Sequence, residues 1–133
     1  FLYCNVNVSI DEWLSDLDYD QLKRVSIQFP DPWFKRKHIK RRVFKKSLLN
    51  SIARYISKDG ELFIQSDIFK LIESMTNVID ECTYFDRKYV HGLKWLNKNP
   101  YKVSTDREVF VLKKNLPIYR AMYIRNSASS SMK

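Results

Sequence analysis

The chain has 133 residues, of which 44% are hydrophobic, 29% charged and 14% aromatic, a balance that excludes an intrinsically disordered chain and suits one domain with a real core. It holds no run of 18 apolar residues, so no membrane span is expected, and no signal peptide is visible; Cys4 and Cys82 are too few for a disulfide framework or a metal site. Twenty-four Lys and Arg against 15 Asp and Glu leave a formal charge of +9, which points to a polyanion such as nucleic acid or, more plainly, to a basic surface that aids solubility.

In chain order, residues 1–8 (FLYCNVNV) are short, apolar and strand-like. Ser9-Ile10-Asp11-Glu12 followed by Trp13, Leu14 and Leu17 predicts a brief helix over about 9–17. Residues 24–29 (RVSIQF) read as a buried strand, ended by Pro30 and Pro32, each of which lacks a backbone N–H and fixes φ. A loop follows over 30–40. Phe44, Leu48, Ile52 and Ile56 recur every four residues, with Leu49 beside them, and predict a helix over about 41–57. Asp59-Gly60 signals a turn and 61–65 (ELFIQ) a second buried strand. Asp67 opens a helix over about 68–81, with Ile68, Leu71, Ile72, Met75 and Ile79 on one face. Residues 84–86 form a short strand, 89–105 are irregular around Asn99-Pro100, 106–114 are helical, and 118–125 (IYRAMYIR) make a final strand. The tail 126–133 (NSASSSMK) is low in complexity and is expected to be disordered.

Strands alternating with helices predict an α/β sheet, whose ligands bind outside the carboxyl ends of the strands. That rule puts Asp31 and Asp67, each just past a strand, at the functional edge. Asp31 stands between two prolines and beside Trp33, a stiff acidic position suited to a purine or a cationic cofactor, or equally an acidic turn residue with a partly packed Trp. The next segment, KRKHIKRRVFKK over 35–46, is basic at eight of its twelve positions. Such a density repels itself unless a polyanion neutralises it, and basic residues at a helix start oppose the helix dipole. Several phosphate contacts, each releasing counterions, would offset that cost, with Arg41 and Arg42 able to clamp phosphate oxygens; a solvated basic turn is the bland alternative.

Residues 29–42, FPDPWFKRKHIKRR, closely resemble the signature of tRNA (guanine-N7)-methyltransferases. The resemblance continues through QSD at 65–67, NPYKVSTDREVFVL at 99–112 and PIYR at 117–120, and covers all but the tail. It implies a Rossmann-like class I methyltransferase sheet, with S-adenosylmethionine as methyl donor and the N7 atom of a variable-loop guanosine in tRNA as acceptor. It further implies that Asp31 borders both the methionine part of the cofactor and the target guanine, and that Asn5, in CNVN, lies by the adenine, with Asn7 as the alternative. Lys35 would touch substrate; Lys37, His38, Lys40, Arg41 and Arg42 would contact RNA. Asp67, Thr105, Asp106, Arg107 and Glu108 would complete the substrate side. Apart from the resemblance, Asp67 reads equally as a helix N-cap, and Thr105 with Glu108 as a capping box. The residues suit the chemistry: guanine N7 has a lone pair and no proton to lose, so alignment and electrostatic support matter more than a strong base.

Some features depart from the family pattern. Ser66 replaces a Thr, Ser104 a Pro and Lys102 a Gly. The chain has two glycines, Gly60 and Gly92, and no Gly-x-Gly, so the first strands and the Gly-rich cofactor loop are expected to lie upstream; Phe1 is not an initiator methionine. Residues 1–125 are therefore read as the C-terminal portion of the methyltransferase domain, with 126–133 as its tail. A catalytically inactive RNA-binding fragment or paralogue is the alternative. No obligatory protein partner is expected, although a WD-repeat subunit would accompany the eukaryotic two-subunit type. The location is expected to be intracellular, with cytoplasm, nucleus and plastid-type organelle all open.

Overall fold

The computed structural model describes residues 6–18, 21–31 and 44–128, with the backbone alone for 6–9. Its elements run α1 (Val6–Leu14), β1 (Leu22–Gln28), α2 (Lys46–Tyr55), β2 (Ile56–Ser66), α3 (Phe69–Asp80), β3 (Phe85–Lys88), α4 (Asp106–Lys113) and β4 (Tyr119–Arg125). The four strands form one sheet in the order β1-β2-β4-β3. β1 and β2 are parallel, and β4 is antiparallel to both β2 and β3, so it is a reversed strand set among three that share a direction. The carboxyl ends of β1 and β2 and the start of β4 thus meet at one edge, where Gln28 pairs with Gln65 and Ser66 with Tyr119.

The alternation of side chains along β2 and β4 divides the core in two. Leu62, Ile64, Ala121 and Tyr123 face α2 and α3 and join Leu48, Leu49, Ile52, Leu71, Ile72, Met75 and Ile79 in the main cluster. Phe63 and Met122 face the other way and pack with Leu96, Tyr101 and Ile124 beneath the 97–105 segment. Each fully buried Leu, Ile or Phe in the larger cluster contributes about 1.5–3 kcal/mol relative to exposure. Tyr123, buried on that face, donates to Asp80 Oδ1 at 2.8 Å; burial and the neighbouring carboxylate push its hydroxyl pKa well up.

Several boundaries differ from expectation. Residues 6–8 are helical, not strand-like: Val6-Asn7-Val8 alternates, but Val6, Ile10, Trp13 and Leu14 also stand at helical spacing, and the longer stripe wins. Residues 1–5 lie outside the described residues. The helix predicted over 41–57 runs only from Lys46 to Tyr55 in α2; Ile56 keeps the four-residue spacing but takes an extended backbone (φ −71°, ψ 140°) and pairs with Leu22. The turn at Asp59-Gly60 became a bulge inside a longer strand. Register passes from Leu22 opposite Ile56 to Arg24 opposite Glu61, so β2 carries extra residues. Asp59 there has φ 66°, and a Cβ on Gly60 would stand 2.8 Å from the Ser57 carbonyl oxygen. Only glycine fits that close approach. Asn126 is hydrogen-bonded to Tyr84 and Thr83, and Ala128 to Arg125; residues 129–133 lie outside the described residues.

Candidate active site

The edge of the sheet is built from strand ends, as the α/β rule requires. Phe29, the residue after β1, has φ 49°, a left-handed conformation that costs a non-glycine residue about 1–2 kcal/mol. Its N–H donates to the Gln65 carbonyl at 2.9 Å, so the last rung of the parallel ladder holds the turn while the chain swings away into Pro30 and Asp31. On the neighbouring strand, Ser66 accepts the Ile68 N–H at 3.1 Å. That bond makes the β2–α3 turn, and Ile68 rather than Asp67 occupies the N-cap of α3. Asp67 is thereby released from capping, and its carboxylate instead takes the Arg107 guanidinium at 2.8 Å. Asp67 is largely buried in this pair, while Arg107 stays half exposed.

Thr105 is the N-cap of α4, and its hydroxyl accepts the Glu108 N–H at 3.1 Å. Only this half of the capping-box expectation is met. The Glu108 side chain turns inward and is 2% exposed. Its Oε1 accepts from Gln65 Nε2 at 3.0 Å and Asn99 Nδ2 at 2.8 Å; its Oε2 accepts from Ser104 Oγ and an Arg120 nitrogen, both at 3.3 Å. Burial pulls the Glu108 carboxyl pKa upward, but the bonds from Gln65, Asn99 and Arg120 outweigh it and hold the group below the usual carboxylate range. The network extends further: Gln65 also donates to Gln28 at 2.6 Å and accepts from Arg120 Nε at 3.1 Å, and Arg120 donates to the Asn97 carbonyl at 3.1 Å. A buried carboxylate with this many donors is a fixed strut rather than a free acceptor.

In front of that strut lies an open cavity of about 440 Å³, lined by Gln28, Phe29, Pro30, Asp31, Asp67, Ile68, Thr105 and Arg107. Four of the residues singled out from sequence therefore converge on it: Asp31, Asp67, Thr105 and Arg107. Glu108 stands behind its wall, and Asp106 is exposed in the first turn of α4, where its charge favours the helix dipole, but does not line the cavity. Asn5, Lys35, Lys37, His38, Lys40, Arg41 and Arg42 lie outside the described residues. Just beyond them, α2 begins with Lys45 and Lys46, no side-chain cap and no acidic residue in its first turn, so positive charge sits at the positive end of a helix. Sequence reasoning missed Gln28, Gln65, Asn99 and Arg120. The available signal was a polar residue at an inward strand position: Gln65 closes the apolar run ELFIQ, and Arg120 interrupts IYRAMY.

Two carboxylates and one guanidinium around a cavity of this volume make a net acidic pocket of the size small-molecule sites occupy. Such a pocket suits a cationic group and the N–H edge of a purine. A family model described as "Putative methyltransferase" matches residues 2–121, and the chain belongs to that family. The reversed β4 and the helix-backed parallel strands are accordingly those of a Rossmann-like class I methyltransferase sheet. At finer grain, the chain is 74% identical over 127 residues to the "tRNA (guanine-N(7)-)-methyltransferase" of Prochlorococcus marinus strain NATL2A, covering 96% of this chain and 59% of that protein. It is 51% identical to the protein of the same name from strain MIT 9313, covering 95% of this chain and 53% of the relative. A like-named protein of Parasynechococcus marenigrum strain WH8102 is 47% identical, with 96% and 54% covered. The chain thus spans between half and three-fifths of the length of these relatives.

Proposed function

We propose that the protein carrying this chain is a tRNA (guanine-N7)-methyltransferase that uses S-adenosylmethionine. The observation that carries the reading is the meeting of Asp31 and Asp67 on one cavity at the carboxyl edge of the sheet, in a chain 74% identical to a protein of that name. Bound there, S-adenosylmethionine would supply an activated methyl group on a positively charged sulfur. Asp31, exposed at the end of a stiff turn on this cavity, would border that positive charge and the guanine together. Asp67 would accept from the guanine amino and imino groups, and the Thr105 hydroxyl keeps its own proton to donate after accepting the Glu108 N–H. The nucleophilic N7 carries no proton, so none of these groups need act as a base. Their work is to orient the ring and to stabilise the positive charge that arrives on it. Folded tRNA, met largely through its phosphates, suits the +9 charge and the basic segment at 35–46.

The test is transfer of labelled methyl from S-adenosylmethionine to unmodified tRNA by the full-length protein, with 7-methylguanosine identified in the digested RNA. Asp31→Ala is expected to lower the rate by about 10²–10³-fold while tRNA binding persists. A wild-type protein that binds tRNA and transfers no methyl group would establish an RNA-binding protein and overturn the enzymatic reading.

A further inference from the structure

Beside the cavity, on the side away from Asp31, stands an aromatic cluster to which none of the proposed chemistry assigns a role. Phe69, the first residue of α3, is 43% exposed. Behind it Trp95 and Tyr119 are half-buried against the main core. The three rings meet edge to face, with centroids 5.2 Å apart for Phe69 and Tyr119, 6.3 Å for Phe69 and Trp95, and 5.8 Å for Trp95 and Tyr119. Such edge contacts fix the orientation of Phe69 and leave ring surface open.

A single exposed apolar residue needs no explanation, but the place and company of this one do. Phe69 is two residues past Asp67 and adjacent to Ile68, both of which line the cavity, and Tyr119 opens the strand paired with Ser66. The cluster therefore lies about one strand spacing, some 5 Å, along the same carboxyl edge. Two exposed lysines stand nearby, Lys94, whose Nζ lies 5.6 Å from the Trp95 centroid, and Lys70, next to Phe69 in α3, while the Arg87 guanidinium 4.8 Å from the Trp95 ring is buried and paired with Asp80 at 3.2 Å. An oriented aromatic ring on the same edge as exposed lysines can hold an unpaired nucleotide, the ring taking the base and the cations its phosphates. We propose that Phe69, supported by Trp95 and Tyr119, is a stacking platform for an unpaired RNA base neighbouring the target guanosine. The proposal rests on the tRNA reading above, and it assigns that substrate a second point of contact. Holding a neighbouring base off the RNA stack would help present the target to the cavity and fix its register there.

The experiment uses the full-length protein and tRNA carrying 2-aminopurine at each position flanking the methylated guanosine. Phe69→Leu keeps an apolar side chain without the ring, Phe69→Ala removes both, and Phe69→Trp keeps a stacking surface. Thermal melting of each variant establishes that it is folded. Stacking on Phe69 predicts fluorescence quenching at one flanking position in the wild type, lost in both the Leu and Ala variants and kept with Trp. It also predicts roughly tenfold weaker tRNA binding in those two variants. The salt dependence of binding should keep its slope, since no phosphate contact is removed. Wild-type affinity and quenching in a folded Phe69→Leu protein would overturn the proposal and leave the cluster a packing feature. Failure of the tRNA reading itself is seen separately, in a wild-type protein that neither binds nor methylates the RNA.

Discussion

The two faces of the sheet are made from the same two strands and both bury apolar side chains, yet one of them adds a buried polar network to that packing. Towards α2 and α3, Leu62, Ile64, Ala121 and Tyr123 are completely buried in an apolar cluster. Towards α4, their neighbours in sequence include Gln65 at 0% exposure and Arg120 at 5%, bonded to Glu108 at 2%. Apolar burial is non-directional, so the first face tolerates exchange of side chains of similar volume. The second tolerates little, because every donor removed leaves a charge or an amide without its partner in a low dielectric. The directional face is also the one that sets the position of α4, and with it Thr105 and Arg107 at the cavity. One face stores stability and the other spends some of it on geometry.

The sharpest way to break this comparison is to cut each face once. Arg120→Ala strands Glu108 as a buried carboxylate and should destabilise by about 3–5 kcal/mol in chemical denaturation. Ile72→Ala, at 0% exposure on the opposite face, should cost about 2–5 kcal/mol through its cavity. The two losses overlap, but their kinetics should not. Assayed for the proposed reaction where each variant is folded, Ile72→Ala should keep the wild-type KM for tRNA, whereas Arg120→Ala should raise it, because α4 loses the charged part of its anchor and keeps only the bonds from Gln65, Asn99 and Ser104. Equal KM values in the two variants would sink the division of labour.

A milder cut sits at the bulge of β2. Gly60→Ala must displace both the Ser57 carbonyl, which lies 2.8 Å from where the new Cβ would stand, and the Ile56 side chain at 2.7 Å. A loss of about 1–3 kcal/mol is expected, measurable as a lower denaturation midpoint, with the proposed methyl transfer intact. This bulge also marks where sequence reading stops. Asp59-Gly60 was legible as an irregularity, because both residue types accept unusual backbone angles, but whether the chain reverses or merely bulges depends on the partner strand, and β1 lies more than thirty residues upstream. The strands RVSIQF and ELFIQ and the helices after Asp67 and Thr105 were legible from period and punctuation alone. So was the meeting of Asp31 and Asp67, since strand ends of one sheet share an edge, whereas Thr105 and Arg107, at the start of α4, were singled out by the family resemblance alone. The strut behind them was not legible. Glu108 shows the same T-x-x-E spacing whether it folds back on its helix or reaches Gln65 and Arg120, forty-three residues before it and twelve after. Only the long-range fold decides between the two.

Thr105→Ala separates the cap from the strut. It removes the acceptor for the Glu108 N–H and leaves the Glu108 carboxylate with its four donors, so a loss of about 1 kcal/mol is expected. A larger loss would mean that the cap, and not the strut, anchors α4.

The finest distinction is in pH, and at neutral pH it vanishes. The Glu108 carboxyl is held below its ordinary value near 4.5 in the folded protein, because its hydrogen bonds and Arg120 outweigh burial. A depressed folded value means that the unfolded chain binds this proton first. The stabilisation is therefore complete above about pH 4.5–5 and is lost as pH falls from there through the folded value, with a slope of at most about 1.4 kcal/mol per pH unit for one group. Glu108→Gln carries no titrating group there, so the unfolding free energy of wild type should fall more steeply in acid than that of the variant, and the two curves should run parallel above pH 5. Had burial dominated instead, the folded carboxyl would bind its proton before the unfolded one. Wild type would then gain stability relative to Glu108→Gln on acidification, and the carboxylate strut would have to be redrawn as a neutral hydrogen-bonded acid.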